Sequence, residues 1–274
     1  IYRQLFHNLA RLKPAQIAGT SYGTIVLFPP NDNYERPFLA GKIYRFLNIN
    51  ARDNWLDTRN KEPIEQDPND PPIVAEHLKP NLKEHLFVFF LDGHRLFYES
   101  FGLSPKRAAK FLQNLSNNSR IVNQFGRVDI EAVTSTDKIE REMKRLKTTQ
   151  ELLIQLCLVN DDRLNRFEKE IMGRLKSENV RDYKEIRHPL RGEKIIPSDE
   201  TRALIALATA GGNGYVAIKG KDIDDSSVTI SSRDHPKEYT VEHHTDGQRS
   251  LLGDIIELGA EITEPLLQSR RRSK

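Results

Sequence analysis

The feature that most constrains this chain lies at residues 86–100. Phe87, Val88, Phe89, Phe90 and Leu91 form an unbroken apolar run of strand length, Asp92-Gly93 is a favoured hairpin-turn pair, and Leu96, Phe97 and Tyr98 return. Strand side chains alternate between two faces, so a run with no polar member needs cover on both. The chain must therefore place layers on either side of a β-hairpin, with Phe87, Phe89, Leu91 and Leu96 in the core. A second apolar run, 152–159, is read in the same way, with Cys157 an inert buried thiol within it.

Apolar spacing predicts the other elements around that hairpin. Residues 2–12 have helical spacing and stop near Pro14; strands follow at 22–28 and 38–49. Over 51–80 five prolines and an acidic composition predict a long surface loop, with Trp55 pinning it to the core. Ser104-Pro105 opens a helix carrying Ala108, Phe111, Leu112 and Leu115, which Asn117-Asn118 closes. A one-sided strand is expected at 127–134, where Val128, Ile130 and Ala132 alternate with Asp129 and Glu131. Asp137 and Glu140, in capping-box spacing, then open a helix to about Lys147. Beyond 159, Leu164, Phe167, Ile171, Met172 and Leu175 mark another helix, and a polar connection runs through Pro189 and Gly192 to Pro197. Ser198 caps the next helix, a three-stranded meander is expected at 215–218, 228–230 and 238–242, and a closing helix from Leu251 is expected to end at Pro265.

This order predicts a mixed α+β fold, with a mostly antiparallel sheet, helices packed on one side and a split-βαβ, ferredoxin-like core. The expected division is a core over 1–186 and a smaller α+β part over 187–274, standing alone or packed with the core. At 274 residues and 37% hydrophobic content there is room for either, and collagen, coiled coil and wholesale disorder are excluded. No apolar run reaches the roughly 18 residues of a membrane-crossing helix, so no membrane partner is expected. One cysteine and no secretory pattern at the start point to a cytoplasmic location.

Catalytic patterns are lacking, so no catalytic residue, metal site or cofactor is assigned. Gly211-Gly212-Asn213-Gly214 follows a helix and precedes a strand, the reverse of a phosphate-binding loop, and reads as a helix stop. Asp222, Asp224 and Asp225 lack the glycine and closing glutamate of a calcium loop and suit a solvated hairpin tip. His94 beside the turn has the right residue type for proton transfer but no partner fixed by spacing. Net charge is only +3, so clustering matters more than the sum. Residues 105–147 hold ten basic against five acidic side chains, and Lys138, Arg141, Lys144 and Arg145 recur along one helical face. These four, with Arg270, Arg271 and Arg272 near the end, are the expected nucleic-acid contacts.

The whole chain, most suggestively in residues 37–46, 78–81, 94–100 and 159–162, resembles an uncharacterised bacterial family known mainly as a domain of unknown function. The resemblance implies a prokaryotic cytosolic protein encoded among genes of defence against phage, and it carries over no active site. The leading expectation is a non-enzymatic component of such a system that binds nucleic acid or a partner protein of the defence complex. The alternatives are a nuclease-like effector acting on RNA or DNA, and a protein–protein adaptor using the 51–80 loop.

Overall fold

The structure is a computed structural model. It describes the backbone of residues 1–30, 37–53, 55–59, 61–64, 71–72, 74–92, 94–157, 166–180, 182–210, 214–241 and 250–271, and the side chains of all of these except 157, 166–168, 210 and 264–271. The fold is mixed α+β and divides into two compact units, Ile1–Asp129 with His243–Ala260, and Ile130–Glu242 with Glu261–Lys274. No described helix is long and apolar enough to cross a membrane.

The first unit opens with α1 (Tyr2–Ala10), whose Leu5, Phe6 and Leu9 are buried at the spacing of one helical face. Its sheet takes β1 (Ala15–Ala18), β2 (Ser21–Leu27), β3 (Phe38–Leu47), β6 (Lys83–Phe90) and β7 (Arg95–Tyr98), antiparallel throughout and in the order β1-β2-β3-β6-β7. Between β3 and β6, β4 (Trp55–Asp57) and β5 (Glu62–Ile64) form a separate small hairpin. The expected uniform loop at 51–80 is corrected to that extent: Pro63 is tolerated because a two-stranded ribbon has only edge strands. Trp55 is half-buried, its indole N–H 3.5 Å from the Ala51 carbonyl.

Two helices follow, α2 (Pro105–Ser116) and α3 (Ser119–Phe125). Asn117-Asn118 stops α2 as expected, but Asn118 also starts α3, its side chain accepting the Arg120 N–H at 3.0 Å. The hairpin holds, its last register pair being Phe90↔Arg95; Gly93 of the expected Asp92-Gly93 turn lies outside the described residues. Leu91, beyond the last pair, and Leu96, on the edge strand β7, are half-buried rather than core.

β6 is covered on both faces, as its apolar run demands. On one, the Phe6 ring lies 4.6 Å from Phe89 and 6.0 Å from Phe87. On the other, Val88 and Phe90 join Ala40, Ile255 and Ile256 in a buried cluster. Ile255 and Ile256 belong to the last helix, α7 (Leu251–Arg271), whose first ten residues count with this unit. The close approach depends on Gly259, since a Cβ there would meet the Phe90 ring at 2.5 Å and the Phe97 ring at 3.2 Å. α7 runs past Pro265, where it was expected to end; a proline removes one backbone donor without obliging the helix to stop.

The second unit holds α4 (Thr136–Arg145), β8 (Thr148–Cys157), α5 (Arg166–Ser177), β9 (Asp182–Arg187), α6 (Asp199–Ala210), β10 (Gly214–Lys221) and β11 (Ser227–Ser231). Its sheet has the order β11-β10-β8-β9, every pair antiparallel. β9 and β10 therefore run parallel with β8 between them, which makes β9-α6-β10 a split βαβ unit. The expected boundary at 186/187 falls within β9, before its last residue Arg187. Leu152, Ile154 and Leu156 of β8 are buried with Val216, Ile218 and residues of α5 and α6, whereas Leu153 and Gln155 are only half-buried. β8 is thus one-sided, a correction to the reading of 152–159 as covered on both faces. The Cys157 side chain and residues 158–165, including Leu164, lie outside the described residues.

Three further expectations are corrected here. Residues 127–133 form no strand: only Thr134 bridges, to Pro236, and an alternating pattern without a ladder partner has nothing to hold it extended. The meander shrinks to the β10–β11 hairpin because 238–241 are not extended in a ladder, and the sheet is completed by β8 and β9 instead. α4 begins at Thr136 with Ser135 as its cap, the hydroxyl accepting the Lys138 N–H at 3.4 Å, in place of an Asp137–Glu140 capping box.

Candidate nucleic-acid interface

α4 brings together four of the expected contacts. Ile139 is fully buried and Met143 packs on the same core, so at 100° per residue Lys138, Arg141, Lys144 and Arg145 occupy the opposite arc. Arg141, Lys144 and Arg145 are exposed and Lys138 half-buried. Two are tethered locally: Arg141 donates to the Asp137 carbonyl at 3.3 Å, and Arg145 to the Glu142 carboxylate at 3.0 Å. The Arg145 side chain remains 76% exposed in that pair, so the tether orients the guanidinium without removing it from water. Arg270 and Arg271 lie on the backbone of α7 with undescribed side chains, and Arg272 lies outside the described residues.

The first unit contains a site that sequence spacing does not reveal. In the β2–β3 ladder Tyr22 faces Phe46 and Thr24 faces Tyr44, so all four share one face of the pleat. This is also the face that α7 covers farther along, over Ala40 and Val88, since β3 alternates the same way from 38 to 46. Beyond that cover the three rings line an open cleft of about 550 Å³, with Lys13, His77 and Lys79 also lining it. The Lys79 ammonium donates to the Ile49 carbonyl at 3.2 Å, which holds one of its three protons. No acidic side chain is among the described residues lining the cleft. The nearest register acid on that face, Glu84 opposite Tyr44, is paired with Lys42. Other rings of this unit contact one another, Tyr2 tilted against Phe89 and His94, Phe90 edge-on to Phe97; among the described residues no ring contacts Tyr22, Tyr44 or Phe46. These three sit on two strands at 22, 44 and 46, and only knowledge of the β2–β3 register brings them together.

Other candidates are accounted for by structure. His94 is exposed at the bend with its ring 4.3 Å from Tyr2. Asp222 accepts the Asp224 and Ser226 N–H groups, and Asp225 pairs with Lys147 at 2.9 Å, so these aspartates build a hairpin tip. Among the described residues no three His, Cys, Asp or Glu side chains form a metal-holding group. Of the glycine cluster, Gly211, Gly212 and Asn213 lie outside the described residues, and Gly214 begins β10.

A polar network does occur on the helix side of β9, and it is likewise invisible to spacing. The Tyr183 hydroxyl donates to Glu185, Arg187 donates to both Glu185 and Thr201, and the Ser198 hydroxyl caps α6 by accepting the Thr201 N–H at 3.3 Å. Burial, reinforced by the Glu185 carboxylate, pushes the Tyr183 phenol up to about 12. Burial works against the Glu185 charge, but the hydrogen bonds from Tyr183 and Arg187 outweigh it and hold the carboxyl below its ordinary value. Tyr183, Glu185 and Arg187 are each bonded within the group, which suits a strut between β9 and α6. His85 is buried too, and burial lowers its pKa despite the Glu99 carbonyl 3.2 Å from Nδ1.

No curated protein matches this sequence. A family model does, over residues 1–257, a span that includes both the α4 arc and the cleft and ends before Arg270. The chain therefore belongs to the family described as Domain of unknown function (DUF4747).

Proposed function

We propose that this protein is a cytoplasmic, non-enzymatic component of a prokaryotic anti-phage defence system and that it binds nucleic acid through α4. The carrying observation is the helix itself: four cations, three of them exposed, lie on the arc opposite the fully buried Ile139, against the single acid Asp137. Helical spacing of about 5–6 Å between neighbouring positions on one face matches a row of phosphates better than a single small anion. The defence setting is supported by the family resemblance and is independent of the geometry.

A titration of labelled DNA and RNA against salt tests the binding. Each phosphate neutralised on duplex DNA contributes roughly 0.9 to the log–log salt slope. Arg141→Glu with Arg145→Glu is expected to weaken binding and flatten the slope by about two contacts, with stability within about 0.5 kcal/mol of the parent because both positions are exposed. Absence of binding to any DNA or RNA at low salt, or parental binding by the double variant, overturns the reading. The adaptor reading then gains from the β4–β5 hairpin, where Leu56 and Ile64 are exposed at 62% and 41%.

A further inference from the structure

We infer that the cleft on the first unit takes an unpaired base of a single-stranded nucleic acid, stacked on the rings of Tyr22, Tyr44 and Phe46. The inference rests on the nucleic-acid reading above and names the form of nucleic acid. The rings are presented by neighbouring antiparallel strands, are each half-buried and carry no stacking partner among the described residues, so the part of each ring open to the cleft can take a flat guest. A cleft of about 550 Å³ is of the size that holds small organic ligands.

Charge selects among flat guests. Lys13 is exposed and Lys79 is half-buried, His77 lies alongside, and no carboxylate is among the described lining residues, so a ring that carries phosphate on either side fits better than a neutral aromatic or a cationic peptide. A duplex is excluded by the same geometry. Its base faces are occupied by neighbouring bases, whereas a strand with splayed bases offers them to an aromatic sheet face. Ring stacking tolerates every base, so the site is expected to read strandedness and not sequence.

The test compares a labelled oligothymidylate with a duplex of equal length at matched salt, in the parent, Tyr44→Ala, Phe46→Ala and Arg141→Glu/Arg145→Glu. The parent is expected to prefer the single strand. Each ring deletion should lower single-strand affinity about 5- to 100-fold and leave duplex binding within about twofold, while Tyr44→Phe retains the preference. If the alanine variants fail to fold, as a melting scan would show, irradiation of the parent with an iodouracil-substituted strand serves instead. Crosslinks at Tyr22, Tyr44 or Phe46 support the inference, and crosslinks confined to other residues overturn it. Folded ring variants that bind the single strand like the parent overturn the inference and leave the α4 reading standing. Loss in the ring variants with none in the charge-reversed helix overturns the α4 reading and leaves the cleft. No binding of either oligonucleotide overturns both.

Discussion

β6 and β8 look alike in sequence, each a run of bulky apolar residues, yet they occupy opposite environments. β6 is the inner strand of a three-layer arrangement, with α1 against Phe87 and Phe89 and the start of α7 against Val88 and Phe90. β8 packs Leu152, Ile154 and Leu156 inward and turns Glu151, Leu153 and Gln155 to an open face. The two open faces also differ in chemistry. On the second sheet the outward partners satisfy one another: Lys219 pairs with Glu151 at 3.0 Å, and the outward ring, Tyr215, lies 4.1 Å under the Arg233 guanidinium. On the first sheet, Tyr22, Tyr44 and Phe46 face the cleft without such a partner among the described residues. An exposed sheet face is therefore not in itself a site; unsatisfied chemistry on it is what makes it a candidate.

The contrast between the strands can be broken by truncating adjacent residues. In β6, Phe89→Ala and Phe90→Ala are each expected to cost roughly 3–5 kcal/mol, because both faces are packed. In β8, Ile154→Ala should cost about 2–5 kcal/mol and its neighbour Leu153→Ala about 1 kcal/mol or less. Equal shifts of the urea midpoint for Ile154 and Leu153 would show β8 covered on both faces. The α7 side of β6 is probed separately by Gly259→Val, expected to cost about 1–3 kcal/mol as the new side chain meets the Phe90 ring; an unchanged melting temperature would mean the helix does not approach as described.

The polar inner side of β9 gives a pH signature that no apolar strand shares. Tyr183 is held up to about 12, against 10 for an ordinary phenol. Between those values the unfolded chain has released this proton and the folded chain has not, so stability falls as pH rises from about 10 to 12 and is unaffected by this group below 10. Tyr183→Phe should remove that part of the alkaline loss; identical alkaline unfolding curves would place the phenol outside the network. The smallest effect is expected on the outward face of the same strand. Ile186→Thr, at a position 46% exposed, should stay within about 0.5 kcal/mol, and a larger loss in chemical denaturation would reveal cover on that face.

Local signals were legible where they were dense. The apolar run at 86–91, the Ser104-Pro105 helix start and the Ser198 cap all stand where their residues place them. The one-sidedness of β8 was missed: the apolar run masked the alternation of Glu151 and Gln155 with the buried positions. β9 was missed as well, because its inward residues are Tyr183, Glu185 and Arg187, polar groups that become core only by bonding to one another and to Thr201. β1 has a single deeply buried residue, Ile17, too little for periodicity to register. The α4 cations are local in sequence and were found there. The cleft was hidden because its rings converge through strand register, a tertiary property.

Gly259 and its helix also impose an order in time. During synthesis β6 and β7 leave the ribosome long before residues 251–260, and all of the second unit's strands emerge in the interval. The first sheet must therefore wait with Ala40, Val88 and Phe90 bare on one side, an apolar surface open to chaperones or to wrong partners. Completion of the first unit is postponed until residues 251–260 have been made, so a nascent product that stops short of them carries the aromatic cleft next to a sticky, unfinished face.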